Sequence, residues 1–174
     1  MPQSVPSFID MLADCSQSAV HLEMRDAYAI GDEADEFTAW QQGHRSDWDD
    51  RAAWWHPFYQ GVADAVARGV VVRRARVVSE PVTEYIRYEH YITHANVVAG
   101  EQVRWLPRCR ATDIAFPGND FWLFDGRLVR VNHFNGDGVM VDQEVTEDPS
   151  VVKLCGSAFE AVWERAVPHE EFQV

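Results

Sequence analysis

VVVRRARVVSEPVTEYIRYEHYITHANVVAGEQVRWL, residues 70 to 106, decides the architecture of this chain. Residues 70 to 78 are rich in β-branched side chains and free of turn formers, so they read as a buried strand. Its alternation puts Val70, Val72, Arg74, Arg76 and Val78 on one face and Val71, Arg73, Ala75 and Val77 on the other. Ser79 can cap a following helix with Pro81 in its first turn, and Gly100 stops that helix after Ala99. QVRWL, residues 102 to 106, is the next strand. A strand, a long helix and a strand make a right-handed crossover, hence two parallel neighbours in one sheet. The expected class is α/β, with α+β as the alternative.

The helix in the middle carries the chemistry. His90 and His94 stand at the spacing that lets two imidazoles on one helix share a metal, with Glu89 and Tyr91 beside them. Stepping about 100° per residue, however, Val82, Tyr85, Ile92 and Ala99 define the apolar side, and Glu89 and Asn96 fall inside it. The two histidines lie about a quarter turn or more away, on the flank. A metal site needs a third and usually a fourth ligand, and no further His or Cys stands at a diagnostic spacing. His133 or Glu89 would have to be brought in by the fold. No metal and no cofactor are expected.

Glu89 and Asn96 are the odder pair. An unsatisfied polar group facing a sheet costs about 1–3 kcal/mol and a bare charge more. The nearest chemistry to match them is Arg73, Arg74 and Arg76 on the adjoining strand. This makes either a buried ion-pair network that fixes helix on sheet or a polar pocket at the strand ends, where open α/β sheets bind ligands.

Outward from this unit, residues 1–68 read as mainly helical. Ser7 can cap FIDMLADC (8–15), DEADEFTAWQQG (32–43) is a helix stopped by Gly43, and a helix from Asp47 or Asp49 is interrupted at Pro57 and ended by Gly69. AVHLEM (19–24) is a short extended run of ambiguous kind. After a loop at 107–118, DFWLFDGRLVRVNHF is a hairpin about Asp125-Gly126, and NGDG (135–138) turns into a last strand, VMVDQEV. NGDG lacks the acidic series and closing Glu of a calcium loop. Asp148-Pro149 starts a final helix that Pro168 ends. One domain over 1–174 is expected, with 69–145 as the sheet-forming core, 146–168 as the C-terminal helix, and helices packed on a mixed sheet.

Composition bounds the function. At 47% apolar and 12% aromatic the chain can bury a substantial core. It has no apolar run of about 18 residues, and Met1 to Ser18 lacks the basic start and apolar middle of a signal peptide, so a cytoplasmic location and no membrane contact are expected. Cys15, Cys109 and Cys155 are widely spaced and read as reduced thiols. The net charge of -13 is uneven: -9 over 1–67, +3 over 68–130 and -7 over 131–174. An acidic surface argues against direct nucleic-acid binding, yet leaves room for a local arginine site. Of the fifteen basic residues only Lys153 is lysine, and arginine suits planar, bidentate pairing with carboxylate or phosphate.

HLEMRDAY (21–28), RRARVVSEPVTEYIRYE (73–89), NVVAGEQVRWLPR (96–108), PGNDFWLFDG (117–126), FNGDG (134–138) and VPHEEF (167–172) together resemble an actinobacterial family, domain of unknown function 6879. The resemblance covers nearly the whole chain and implies a regulatory setting near helix-turn-helix regulators, with no catalytic residues to carry over. The order of elements also resembles half of a phospholipase D-type domain. That superfamily uses His-x-Lys, then four intervening residues and Asp, with histidine attacking phosphorus and lysine holding phosphate oxygens. With the aspartate placed on Asp125, the histidine position is Gly118 and the lysine position is Asp120. The likeness therefore implies a degenerate, non-catalytic version, and pairing of two copies. Asp120 reads as a turn-forming acid beside a buried strand, or as a residue lining a pocket near the arginines.

Two functions follow. The first is a non-catalytic binding or regulatory module that recognises a small anionic ligand or a partner protein, for instance a helix-turn-helix regulator. The rival is an enzyme acting on a phosphorylated or anionic small substrate, with Arg74, Arg76 and Arg104 as clamp and Glu89 or a histidine as general base.

Overall fold

Ser18–Glu23 (β1), the run of ambiguous kind, is the central strand of the molecule. The computed structural model describes residues 5–29 and 31–174, and of Asp32 the backbone alone. Within them, β1 is joined by Val71–Val78 (β2), Gln102–Pro107 (β3), Asp120–Phe124 (β4), Leu128–Phe134 (β5), Met140–Thr146 (β6) and Val167–Pro168 (β7) in a seven-stranded mixed sheet of order β6-β5-β4-β1-β2-β3-β7. The pairs β1·β2 and β2·β3 are parallel, as the crossover demands. The pairs β1·β4, β4·β5, β5·β6 and β3·β7 are antiparallel. The fold is mixed α/β, with two of its strands contributed from outside 69–145.

The helices are Phe8–Asp14 (α1), Gly31–Gln41 (α2), Arg51–Trp54 (α3), Pro57–Ala67 (α4), Glu84–Val98 (α5) and Pro149–Arg165 (α6). Ser7 caps α1 by accepting the Asp10 N–H, and Asp148 caps α6 through Ser150 and Val151. Pro57 opens α4 after a break that parts it from α3. The start of α5 differs from expectation. Thr83 caps it by accepting the Ile86 N–H, because the N–H and hydroxyl of Ser79 are both taken by the Asp26 carboxylate at 2.7 Å. Among the described residues, no helix is long and apolar enough to cross a membrane.

The sheet has two unlike faces. One is apolar: Val20, Leu22, Ala75, Val77, Leu106, Phe121 and Val129 pack beneath Ala158, Phe159 and Val162 of α6. Burying a side chain of the size of Leu22 or Phe159 contributes about 1.5–3 kcal/mol. The opposite face is covered in part. Helices α1 and α4 close one end over Ala19, Val72 and Phe124, while Ile86 and Tyr88 of α5 lie with Val78, Val103 and Trp105. Between them a polar strip is left.

The β4–β5 hairpin turns where expected. Asp125 (φ 51) and Gly126 (φ 62) both take left-handed backbone, the conformation a two-residue hairpin loop needs. Asp125 also accepts the N–H groups of Ser16, Gln17 and Ser18, which ties the hairpin tip to the start of β1.

Candidate functional site

Register builds the polar strip. Cross-strand partners share a face, so Arg130, Trp122, His21 and Arg74 fall in one row across β5, β4, β1 and β2. Gln143, Asn132 and Asp120 are successive partners one step along, and Glu23 pairs with Arg76. These side chains floor a cavity of about 370 Å³. Tyr85, Glu89, Ile92 and Asn96 of α5 wall one side, Phe8, Phe58 and Tyr59 another, and Tyr28 and Glu33 a third.

At the α5 end the charges are matched. Arg74 Nε donates to Glu101 Oε1 at 2.6 Å and its Nη1 to Glu23 Oε1 at 3.1 Å. Arg76 meets Glu23 Oε2 at 2.5 Å, Glu89 Oε2 at 2.6 Å and Thr93 Oγ1 at 2.5 Å. Asn96 donates to Glu101 Oε2 at 2.8 Å. Burial alone would raise the Glu23 carboxyl, but Arg76 and Arg74 hold it well below the usual carboxylate range. Burial would lower both guanidinium groups, and the facing carboxylates push them up instead.

Glu89 and Asn96 are thus inward and satisfied, and Arg74 and Arg76 are their neighbours. Arg73 and Arg104 are not. Alternation along β2 and β3 turns both onto the α6 face, where Arg73 pairs with Glu160 at 2.6 Å and Arg104 Nη1 donates to the Trp163 carbonyl at 3.0 Å. The sheet itself separates Arg104 from Arg74 and Arg76, so the three cannot converge as a clamp.

Asp120 does line the cavity, and its Oδ1 accepts the Met24 N–H at 2.9 Å while the Tyr28 hydroxyl donates to Oδ2. Burial, with Glu23 nearby, pushes its carboxyl up to about 6. Glu33 receives the Tyr85 hydroxyl, and burial with repulsion from Glu89 pushes it up to about 9. His21 is stacked flat on Trp122, with centroids 4.3 Å apart and planes at 5°. Its Nδ1 lies 2.7 Å from the Phe121 carbonyl and its Nε2 3.3 Å from Glu23.

Arg130 stands apart. It is buried at 8% exposure, Nη2 donates to Gln143 Oε1 at 2.6 Å and Nη1 to the Pro6 carbonyl at 3.4 Å, yet no carboxylate pairs with it among the described residues. Burial pushes its guanidinium below its ordinary value.

The histidines of α5 go separate ways. His90 Nε2 meets the Phe172 carbonyl at 3.0 Å and its ring lies 4.4 Å from that of His169, whereas His94 packs on Trp48 at 4.7 Å. His133 pairs with Glu144 at 3.6 Å out on β5. Among the described residues, no group of three or more His, Cys, Asp or Glu is arranged to hold a metal ion. Cys15 and Cys155 are buried thiols pushed up to about 11, in each case chiefly by desolvation.

Sequence reasoning passed over Glu23, Glu101, His21 and Arg130. The signal existed for three of them: His21 and Glu23 alternate with Val20 and Leu22, and Arg130 sits between Val129 and Val131, the pattern of a strand with one polar face. Glu101 precedes its strand, and nothing in its surroundings marks it.

Among the solved structures to which the chain is similar are TrmBL2 and Nuc. TrmBL2, an archaeal chromatin protein whose structure shows a novel mode of DNA binding, is 14% identical with a TM-score of 0.47, over 91% of this chain and 47% of that one. The chain therefore spans about half the length of TrmBL2. Nuc, a phospholipase D family member from Salmonella typhimurium, is 13% identical with a TM-score of 0.47, over 92% of this chain and 86% of that one. No curated protein matches the chain. The model of the domain of unknown function DUF6879 matches residues 6–174, and to that family the chain belongs.

Proposed function

We propose that the protein is a non-catalytic binding module that takes a small anionic ligand in the cleft over β1, β4 and β5, with Arg130 as its anchor. One observation carries this: Arg74 and Arg76 are neutralised by carboxylates, while Arg130, equally buried and open to the same cavity, has amide and carbonyl oxygens but no counter-charge among the described residues. An uncompensated buried cation is costly, and a carboxylate or phosphate brought into the cavity offsets that cost. The amides of Asn132 and Gln143 lie beside it for further hydrogen bonds, and Trp122 adds an apolar part of the floor.

Binding without chemistry suits the remaining groups. Glu89 is held by Arg76, and both ring nitrogens of His21 face protein oxygens, so neither is free to move a proton. A cytoplasmic location, a helix-turn-helix or other regulatory protein as partner, and pairing of two copies belong to the same proposal. Sedimentation of the purified chain decides the last of these.

Calorimetric titration of the purified chain with inorganic phosphate, sugar phosphates and dicarboxylates tests the anchor. Saturable binding is expected, lost in Arg130→Gln while the melting transition of that variant remains cooperative. Binding that survives Arg130→Gln unchanged, or none by the parent to any of these anions, overturns it. Turnover of a phosphorylated substrate in the same cell favours the enzyme instead.

A further inference from the structure

Next to the polar strip, and sharing Glu33, His56, Tyr59 and Ile92 with its cavity, lies a second cavity of about 790 Å³, within the range that holds small organic ligands. Its walls are aromatic. Trp40 comes from α2, Trp48 and Trp54 from the segment leading into and ending α3, and Tyr91 from α5. Trp48 and Trp54 meet edge to face at 5.3 Å and 77°, and Trp48 lies 5.3 Å from Tyr91 at 48°, so the rings form a corner rather than a stack. Such a corner presents several negative ring faces to one point.

The charge of the wall has one sign. Glu33, Asp35 and Glu36 line it from α2, and among the described residues no Lys or Arg does; its basic groups are His44 and His56. These rings accept a cation: the Arg45 guanidinium lies 4.8 Å from the Trp40 centroid and 5.5 Å from that of Tyr91, held by the carbonyls of Trp40 and His44. A separate observation points to an oxygen. The indole N–H groups of Trp40 and Trp54 are buried and have no acceptor among the described residues, which is unusual for tryptophan in a folded protein.

We infer that this chamber binds an organic ammonium ion carrying a hydroxyl or ester oxygen, the choline class of ligand. The ring faces and the carboxylates of α2 take the cationic head, and the ligand oxygen accepts from an indole N–H. Burial and repulsion from Glu89 push the Glu33 carboxyl up to about 9, and an incoming cation favours its ionised form. The cation chamber adjoins the anion cleft but is separable from it by mutation, since neither Arg130 nor Trp122 lines it.

Three of the chain's seven tryptophans, Trp40, Trp48 and Trp54, line the chamber, so a change in emission reports on its occupancy. Intact protein is titrated with choline and with tetramethylammonium, against sodium chloride at equal ionic strength and against the neutral carbon isostere of choline. Saturable quenching by choline is expected, with the isostere weaker by about ten-fold. Trp48→Leu is expected to weaken choline by a similar factor. Glu36→Gln, at an exposed position that keeps an acceptor for the Tyr88 hydroxyl, gives a second variant should Trp48→Leu fail to fold. Arg130→Gln leaves choline binding unchanged while removing anion binding, which separates the two sites. An isostere that binds as tightly as choline, or no saturable response of the folded chain, overturns the inference.

Discussion

Arg74 and Arg130 sit at the two ends of one cross-strand row and are buried alike, at 7% and 8% exposure, yet their surroundings assign them opposite work. Arg74 is paired twice, and removing one partner leaves charge stranded in a low-dielectric site. Glu101→Ala is therefore expected to cost about 3 kcal/mol or more in urea unfolding. Asp113→Ala, which breaks an exposed pair with Arg165, leaves the urea midpoint unmoved. Asp120 gives a pH test. Its folded carboxyl holds a proton more tightly than the unfolded one, so its contribution is favourable below 3.8 and is lost as pH rises through about 6. Asp120→Asn removes that loss: relative to the parent, the variant gains stability across this window, by at most about 3 kcal/mol. Urea midpoints that keep a constant gap between the two proteins from acid to neutral pH would refute it. That Glu89 and Asn96 turn inward was legible, because helical periodicity alone places them. That Glu101 receives both Arg74 and Asn96 was not, since it lies one residue before its strand and only the crossover return brings it under α5.

Among the elements, α5 shows how a local rule yields to a distant partner. Ser79 and Thr83 are both good caps by type, and Asp26, remote in sequence, takes Ser79 and leaves Thr83 to start the helix. Thr83→Ala should lower the unfolding free energy by about 1 kcal/mol, measured by thermal or urea denaturation. Ser79→Ala should spare α5 and instead loosen the Asp26 and Arg108 contacts. The other end of the helix follows the local rule. Gly100 has φ +101, and a Cβ there would stand 3.0 Å from Val66 Cγ1 of α4. Gly100→Ala is expected to destabilise by more than about 1 kcal/mol. The two hairpins and α6 were legible for the same reason as Gly100: their turns and caps are set by residues adjacent in the chain.

For the molecule as a whole, β1 is the decisive strand. It lies between β4 and β2, so among the described residues the hydrogen bonding of the sheet passes from its parallel half to its antiparallel half through β1. A chain beginning at residue 69 keeps every predicted strand of the crossover and both hairpins, and is nonetheless expected to lose cooperative unfolding and dispersed amide resonances. A cooperative transition in that fragment would show that the halves hold together without β1. Residues 19 to 24 alternate over only a few positions, too short a run to set a strand apart from an ambiguous extended segment, and the two-residue β7 after α6 was masked by Pro168, which ends helices and here also closes the sheet beside β3. The order of strand, helix and strand, the two faces of β2, the inward carboxylate of α5 and the hairpin at Asp125-Gly126 were determined by the sequence itself, because each depends on neighbours within a turn or a pleat. Which arginine is neutralised and which is left open was decided only in three dimensions. Counter-charges reach Arg74 and Arg76 from Glu23 of β1, from Glu89 of α5 and from Glu101 just before β3, while Arg130, two strands further out than β1, has none of them beside it among the described residues.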